Sequence, residues 1–281
     1  MKLFLANQSK QGIGGGWTFL NTFDKFARRA GVHIAINEDD ADVVLISGAT
    51  MVQRPYVEEL KRKGKKIVLR VDNAPRNSRN RNTGTSRLKD FASMANKVIF
   101  QSNWAREFLQ PFLGKDGPVI MNGADEDVFR PDGPAQPKDG DPQHLFCQYN
   151  RDETKQWHVA WYDYIMAQRA NPKAHLWLAG RFSPETQQYG FDFFMGERYR
   201  YLGEIPTPDD MAEIYRATDV LQIPYYNDAA SNTLIEARRC GVEDIRWHHS
   251  GGAPEIMATD LELLSATAMV KRYLSEMVRI L

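Results

Sequence analysis

Two acids, Asp228 and Glu236, enclose seven residues, Ala229-Ala230-Ser231-Asn232-Thr233-Leu234-Ile235, that begin as a loop and end as a helix. The run Asp219-Val220-Leu221-Gln222-Ile223-Pro224 just before them reads as a buried strand. In that setting the backbone amides of Ser231, Asn232 and Thr233 open a helix and can bind a phosphate there. Glu236 lies about one turn in, on the same side. A carboxylate so placed suits paired hydroxyls such as those of a ribose, because each oxygen accepts a charge-assisted hydrogen bond. A second candidate is the glycine loop Gly12-Ile13-Gly14-Gly15-Gly16, which leads through Trp17 straight into a helix. It reads either as a phosphate-adjacent loop or as a tight strand-to-helix turn with no ligand. A dinucleotide fingerprint needs glycine where Trp17 stands, although Glu38 lies at a plausible ribose distance, so a nicotinamide oxidoreductase rests on this loop alone.

The elements that must position these residues recur with a βαβ rhythm. Strand-like runs fall at Leu3 to Ala6, Val32 to Ile36, Val43 to Ile46, Ile67 to Val71, Val98 to Phe100 and Val119 to Met121. Helical patterns at Trp17 to Ala30, Tyr56 to Lys63, Ser86 to Ala95 and Asn103 to Phe112 alternate with them. The stretch from Pro131 to Pro142 has four prolines, two glycines and no apolar period, which is linker chemistry. The rhythm then restarts, with strands at His144 to Tyr149, Ala174 to Ala179, Tyr199 to Leu202 and Val220 to Ile223, and helices at Gln156 to Ala170, Pro208 to Ala217 and Asn232 to Cys240. The expected fold class is α/β, with two doubly wound Rossmann-like domains, 1–134 and 135–281, facing a central cleft. An amphipathic final helix, about Leu261 to Leu281, is expected to pack back on the junction.

Composition is that of an ordinary globular chain, with 42% hydrophobic and 26% charged residues among 281. No signal-like segment and no run of eighteen apolar residues is present, which predicts a cytoplasmic, non-spanning protein, with peripheral membrane attachment as the alternative. Cys147 and Cys240 form neither a disulfide framework nor a metal motif. The net charge is zero, yet Arg54 to Arg106 holds 14 Lys/Arg against four acids, leaving the remainder at −10. The densest part, with Arg76, Arg79, Arg81 and Arg87, suits phosphate contacts and so an anionic partner, with a solvated basic face as the alternative.

The chain resembles glycosyltransferase family 4, whose members carry a Glu-x7-Glu motif in this strand, loop and helix setting. The resemblance extends to Gly14-Gly15-Gly16, to Val119-Ile120-Met121-Asn122-Gly123-Ala124-Asp125 with Phe129-Arg130-Pro131, to Leu202-Gly203-Glu204-Ile205, and to Gly251-Gly252-Ala253-Pro254-Glu255-Ile256. It implies the GT-B architecture, with 1–134 on the acceptor side and 135–281 binding the nucleotide sugar. It implies transfer of a hexose from a nucleotide diphosphate sugar, a UDP-sugar being favoured, to a hydroxyl with retention. No cofactor and no metal are implied, the sugar nucleotide being a co-substrate. Arg151 and Lys155 would neutralise the pyrophosphate, and two cations four apart on a helical face can clamp a diphosphate. Glu236 would hold the ribose and Asp228 the transferred sugar. Asp72 occupies the place of a catalytic-centre histidine, which implies a sugar or acceptor contact.

Two departures bear on this expectation. Asp228 stands where the family has its first Glu, and Glu243-Asp244-Ile245-Arg246-Trp247-His248-His249 is polar where the family is apolar. They keep open a non-catalytic nucleotide-sugar binder. None of the Asp-x-Asp spacings, at Asp40 and Asp42, Asp125 and Asp127, and Asp139 and Asp141, lies in the expected donor site of the second domain. The acceptor reads as a lipid-linked or polysaccharide glycan, at an anionic membrane surface near Lys61-Arg62-Lys63-Gly64-Lys65-Lys66, or as a hydroxymethylated base in DNA.

Overall fold

The computed structural model describes residues 1–7, 14–71, 82–148, 153–183 and 198–281. These form two compact units, one of 1–125, 227–232 and 251–281, the other of 126–226 and 233–250. The Pro-rich segment belongs to the second unit. There Gln136 Nε2 donates to Glu213 Oε2 and Trp177 Nε1 donates to Asp139 Oδ2, so partners outside the segment hold a stretch with no period of its own.

The first unit holds five parallel strands, β1 (Lys2–Leu5), β2 (His33–Ile34), β3 (Val43–Ile46), β4 (Lys66–Val71) and β5 (Lys97–Phe100), in the order β2-β1-β3-β4-β5. Strand alternation divides its apolar residues between two faces. Phe4, Val44, Ile46, Ile67, Leu69 and Val98 pack with α2 (Arg54–Arg62), α3 (Asn82–Met94) and α4 (Asn103–Leu113). Leu3, Leu5, Val43, Leu45 and Ile99 pack with α1 (Gly15–Arg29) and the C-terminal helix. That helix begins at Ala266, later than its amphipathic pattern suggests. Leu261–Leu264 form a single 3-10 turn, and the Ser265 hydroxyl caps the new helix by accepting from the Ala268 amide. Tyr273 of this helix lies 5.5 Å from both Phe19 and Phe23 of α1.

The second unit holds β6 (Gln143–Gln148), β7 (His175–Gly180), β8 (Tyr199–Gly203), β9 (Val220–Ile223) and β10 (Asp244–Trp247), again all parallel, in the order β10-β9-β6-β7-β8. Chain order reverses at β6 and β9, which makes that pair the topological switch point. Helices α5 (Trp157–Ala170), α6 (Pro208–Arg216) and α7 (Asn232–Arg239) accompany this sheet. The polar sequence of β10 has a positional cause: it is an edge strand, and within it only Ile245 is buried.

Val119 to Met121 makes only an isolated parallel bridge, Phe100 to Val119, rather than a full strand. Pro118 lacks the amide that a ladder needs, and its carbonyl accepts from Phe100 instead. Among the described residues no helix is long and apolar enough to cross a membrane.

Candidate active site

Ligands of doubly wound sheets collect beyond the carboxyl ends of the strands at the switch point. In the second unit the chain leaves β6 and returns as a 3-10 turn, Glu153–Lys155, while β9 leads into Tyr225 and Tyr226. The two exits meet. The Tyr226 amide donates 3.1 Å to the Thr154 carbonyl, and the Lys155 ammonium lies 3.7 Å over the Tyr225 ring. Tyr225 is buried, its hydroxyl donates to the Cys147 carbonyl at the end of β6, and its ring therefore forms a fixed floor for the Lys155 cation. Immediately after Lys155, Gln156 takes a left-handed conformation at φ 48° as it starts α5. A non-glycine residue held there marks a backbone that the surrounding structure over-determines.

Glu236 sits in the second turn of α7, and burial raises its carboxyl from 4.5 to about 7. The opposing influence is the Tyr215 hydroxyl, which donates 3.2 Å to Glu236 Oε2. Tyr215 belongs to α6, is itself buried, and has its ring 6.1 Å from that of Phe129. Near neutral pH this carboxyl therefore populates both a charged form, able to accept from two hydroxyls, and a neutral form.

The loop Asn227–Asn232 belongs to the first unit. Its Asp228 carbonyl accepts from the Gly252 amide at 2.8 Å. A Cβ at Gly251 would sit 2.5 Å from that same carbonyl oxygen, and one at Gly252 would collide with the Ala229 carbonyl, so both glycines are there for close backbone approach. Ser231 is buried, while Asn232 and Thr233 are partly exposed where α7 begins. In the glycine loop, Gly14 takes φ 116° and its carbonyl accepts from Trp17 and Thr18, starting α1 with Gly15 and Gly16 in its first turn. Gly16 has Met51 Sδ 2.8 Å from where a Cβ would stand.

Asp72, Arg76, Arg79, Arg81, Arg151 and Gly12 lie outside the described residues. Arg87 lies on α3, partly buried. Much of the basic charge around it is matched by acids, several from outside the Arg54 to Arg106 segment. Arg54 pairs with Glu58 and Asp90, Arg62 with Glu59, Lys63 with Asp39, Lys97 with Glu276 and Arg106 with Asp116. Among the described residues no three His, Cys, Asp or Glu side chains gather where they could hold a metal ion.

No protein-family model and no curated protein sequence matches the chain. Solved structures do. HepE from Anabaena, in complex with UDP, is 14% identical at a TM-score of 0.65, with all of both chains covered. The trehalose-6-phosphate synthase OtsA is 12% identical at 0.63, covering 99% of this chain and 92% of that one. Sucrose-phosphate synthase from Thermosynechococcus elongatus is 16% identical at 0.61, covering 95% of this chain and 75% of that one. The chain has the GT-B fold.

Within this GT-B fold, several contacts around the predicted positions were not legible in the sequence. Tyr225 lies only three residues before Asp228, yet its role as a floor for Lys155 depends on β6 and β9 being neighbours. Tyr215 reads as an apolar-face residue of an amphipathic helix, and its hydroxyl finds Glu236 only when α6 and α7 stand together. Glu255, in the Gly251-Gly252-Ala253-Pro254-Glu255 turn, accepts from the amides of Asn103 and Trp104 and so sits on the N-terminus of α4.

Proposed function

We propose that this chain is a glycosyltransferase that moves a hexose from a nucleoside diphosphate sugar, with UDP as the favoured carrier, to a hydroxyl acceptor. The observation that carries the reading is the pairing of Lys155 with Tyr225 at the β6 and β9 switch point, with the near-neutral Glu236 carboxyl on the helix that follows β9. The GT-B fold supports it, as does the presence of UDP in the HepE structure.

In this reading Glu236 accepts from the ribose hydroxyls, and Lys155 with Arg151 neutralises the diphosphate. The amides of Ser231, Asn232 and Thr233 add positive potential from a helix start. The bond from the anomeric carbon to the diphosphate breaks with its electron pair on phosphate, and the acceptor oxygen bonds that carbon. The acceptor proton leaves with the nucleotide or to solvent. Charge develops on the departing phosphate, so fixed cations there lower the barrier. The glycine loop Gly14-Gly15-Gly16 lies near phosphate, Asp228 meets the sugar hydroxyls, and Asp72 meets the sugar or acceptor. Retention, independence of metal and of any cofactor, and action in the cytoplasm, free or at a membrane surface, belong to the same proposal. So does the assignment of 1–134 to the acceptor and 135–281 to the donor. The acceptor is either a lipid-linked or polysaccharide glycan or a hydroxymethylated base in DNA, with Arg76, Arg79, Arg81 and Arg87 meeting its negative charge.

The test is incubation with UDP-glucose, UDP-N-acetylglucosamine, ADP-glucose and GDP-mannose, reading released nucleotide alone, with hydroxymethylated DNA, and with lipid-linked glycan. Release of nucleotide from one donor, stimulated by one acceptor, is expected. Tight donor binding with no release under any condition would leave a non-catalytic binder.

A further inference from the structure

The Asn122-Gly123-Ala124-Asp125 motif has no part in the reaction outlined above, yet its asparagine lies in a buried polar cluster of the first unit. Arg70, at the carboxyl end of β4, is only 3% exposed and stacks 4.3 Å over the Phe19 ring. Its guanidinium donates to the Ser47 carbonyl at 2.8 Å, to Gln101 Oε1 at 2.7 Å and to Asn122 Oδ1 at 3.1 Å. A guanidinium has donors only, so it dictates which way the two amides point. Gln101 must turn its carbonyl to Arg70, and its Nε2 donates 2.9 Å to the Val71 carbonyl. Asn122, 4% exposed, must likewise turn its NH2 away from Arg70. That NH2 donates 2.9 Å to Gln101 Oε1 and 2.8 Å to Asn232 Oδ1.

Asn232 ends the loop that carries Asp228 and starts α7. The other end of that loop is held through its backbone by Gly251 and Gly252, and Glu255 three residues on is anchored to the start of α4 by hydrogen bonds of 2.7 Å from the Asn103 and Trp104 amides. Among the loop's attachments, one runs through its main chain at Gly252, and another through the Asn122 amide, which donates to Asn232 Oδ1 and, at 3.5 Å, to the Ala230 carbonyl. In a buried cluster a missing partner leaves a desolvated polar group, so this amide link is stiff.

We propose that Asn122 is a positioning residue, which uses the fixed orientation imposed by Arg70 to hold Asn232 and thereby the loop bearing Asp228 and Ser231. It acts on turnover through the loop and rests on the reading of that loop as part of the donor site.

The experiment compares the parent chain with Asn122→Leu, Asn122→Asp and Asn232→Ala. Hydrogen exchange of the 229–232 amides is read without ligand, and turnover on whichever nucleotide sugar the parent hydrolyses. Asn122→Leu and Asn232→Ala are expected to speed loop exchange at least tenfold and to lower kcat more than they raise KM. Their double variant should be no worse than Asn122→Leu alone, since that substitution already removes the bonds to both Asn232 and the Ala230 carbonyl. Asn122→Asp should also speed loop exchange and lower kcat, because it turns a carboxylate oxygen toward Gln101 Oε1 and the Ala230 carbonyl where the parent has an NH2 donor. Should Asn122→Leu fail to fold, the partly exposed Asn232→Ala decides. Parent-like loop exchange in Asn232→Ala, or in Asn122→Asp, overturns the proposal. If Asp228→Ala turns over donor like the parent, the donor reading of the loop is what fails, and loop exchange still judges the Asn122 to Asn232 link.

Discussion

The Tyr215 hydroxyl reaches from α6 to α7 and donates to Glu236 Oε2 at 3.2 Å, opposing the burial that raises this carboxyl to about 7. A helix-face phenol and a helix-start carboxylate thus form a pair balanced between two protonation states near neutrality. That balance gives the proposed ribose contact a pH signature.

If the ionised Glu236 carboxylate holds the ribose, affinity for a nucleotide sugar should rise about tenfold between pH 6 and 8, following its ionisation. Calorimetry with UDP-glucose is suitable because its diphosphate does not titrate in that range. Glu236→Gln should bind weakly at every pH, with a flat profile, and Tyr215→Phe should move the rise to higher pH. The same shift acts on folding. A carboxyl raised from 4.5 to about 7 binds a proton in the native state but not in the unfolded state across that window, so its contribution to stability declines as pH increases from 4.5 to 7. Glu236→Gln should lose that decline in urea titrations. Equal nucleotide affinity in parent and Glu236→Ala would remove the ribose assignment.

Lys155→Ala should lower donor turnover by roughly a hundredfold with folding intact, because its cation is expected to meet leaving-group charge in the transition state. Arg151→Ala should act alike. Excess chelator should leave the parent rate unchanged, since these cations and a helix start would supply the potential a metal otherwise provides. A rate that collapses with chelator and returns with magnesium or manganese would overturn this site.

How far these roles were legible depends on the distance over which each is made. Continuous apolar runs such as Val43-Val44-Leu45-Ile46 place the strands, and the restart at His144 places the second sheet, because both signals are local. The place of Glu236 one turn into a helix was legible for the same reason, being set by its distance from a helix start. Tyr215, Tyr225 and Asn122 were not, because each acquires its role from a partner brought close by sheet order or helix packing. The polar run from Glu243 to His249 shows the reverse problem. Read alone it is an eroded core strand, and only the order β10-β9-β6-β7-β8 reveals an edge that has no need to be apolar.

His144 gives a prediction about stability in acid. It is 1% exposed in β6, its Nδ1 is 3.4 Å from Gln222 Nε2, and burial lowers its pKa from 6.5 to about 4, with the nearby Arg246 charge acting the same way. The unfolded chain therefore binds a proton between pH 6.5 and 4 that the native chain does not. Stability should be fully present above 6.5 and fall on acidification to 4, by about 3 kcal/mol from this residue. His175 is also lowered by burial and adds in the same direction. The difference in urea midpoint between parent and His144→Gln, followed from pH 7 to pH 4, isolates the first contribution. A constant difference across that range would show that His144 does not titrate as described.

The basic segment yields the last prediction. Arg54, Arg62, Lys63, Lys97 and Arg106 are already matched by carboxylates, and Lys65 donates to the carbonyls of Asp39 and Ala41, so they are poorly placed to recruit a polyanion. Attraction for DNA or anionic vesicles should instead depend on Arg76, Arg79, Arg81 and Arg87. Binding of the parent to either surface should weaken steeply with salt, because each phosphate neutralised releases counterions. Replacing Arg76, Arg79 and Arg81 by Ala should reduce the slope of log affinity against log salt on DNA by as much as about 3, at roughly 0.9 for each phosphate no longer neutralised. Donor turnover without acceptor should survive, since these arginines have no part in the proposed diphosphate contacts. Hydroxymethylated DNA and vesicles of anionic lipid, titrated in parallel at several salt concentrations, distinguish the two acceptor settings. Should the triple variant bind both like the parent, the arginines are a solvated face, and an uncharged glycan becomes the better acceptor to pursue.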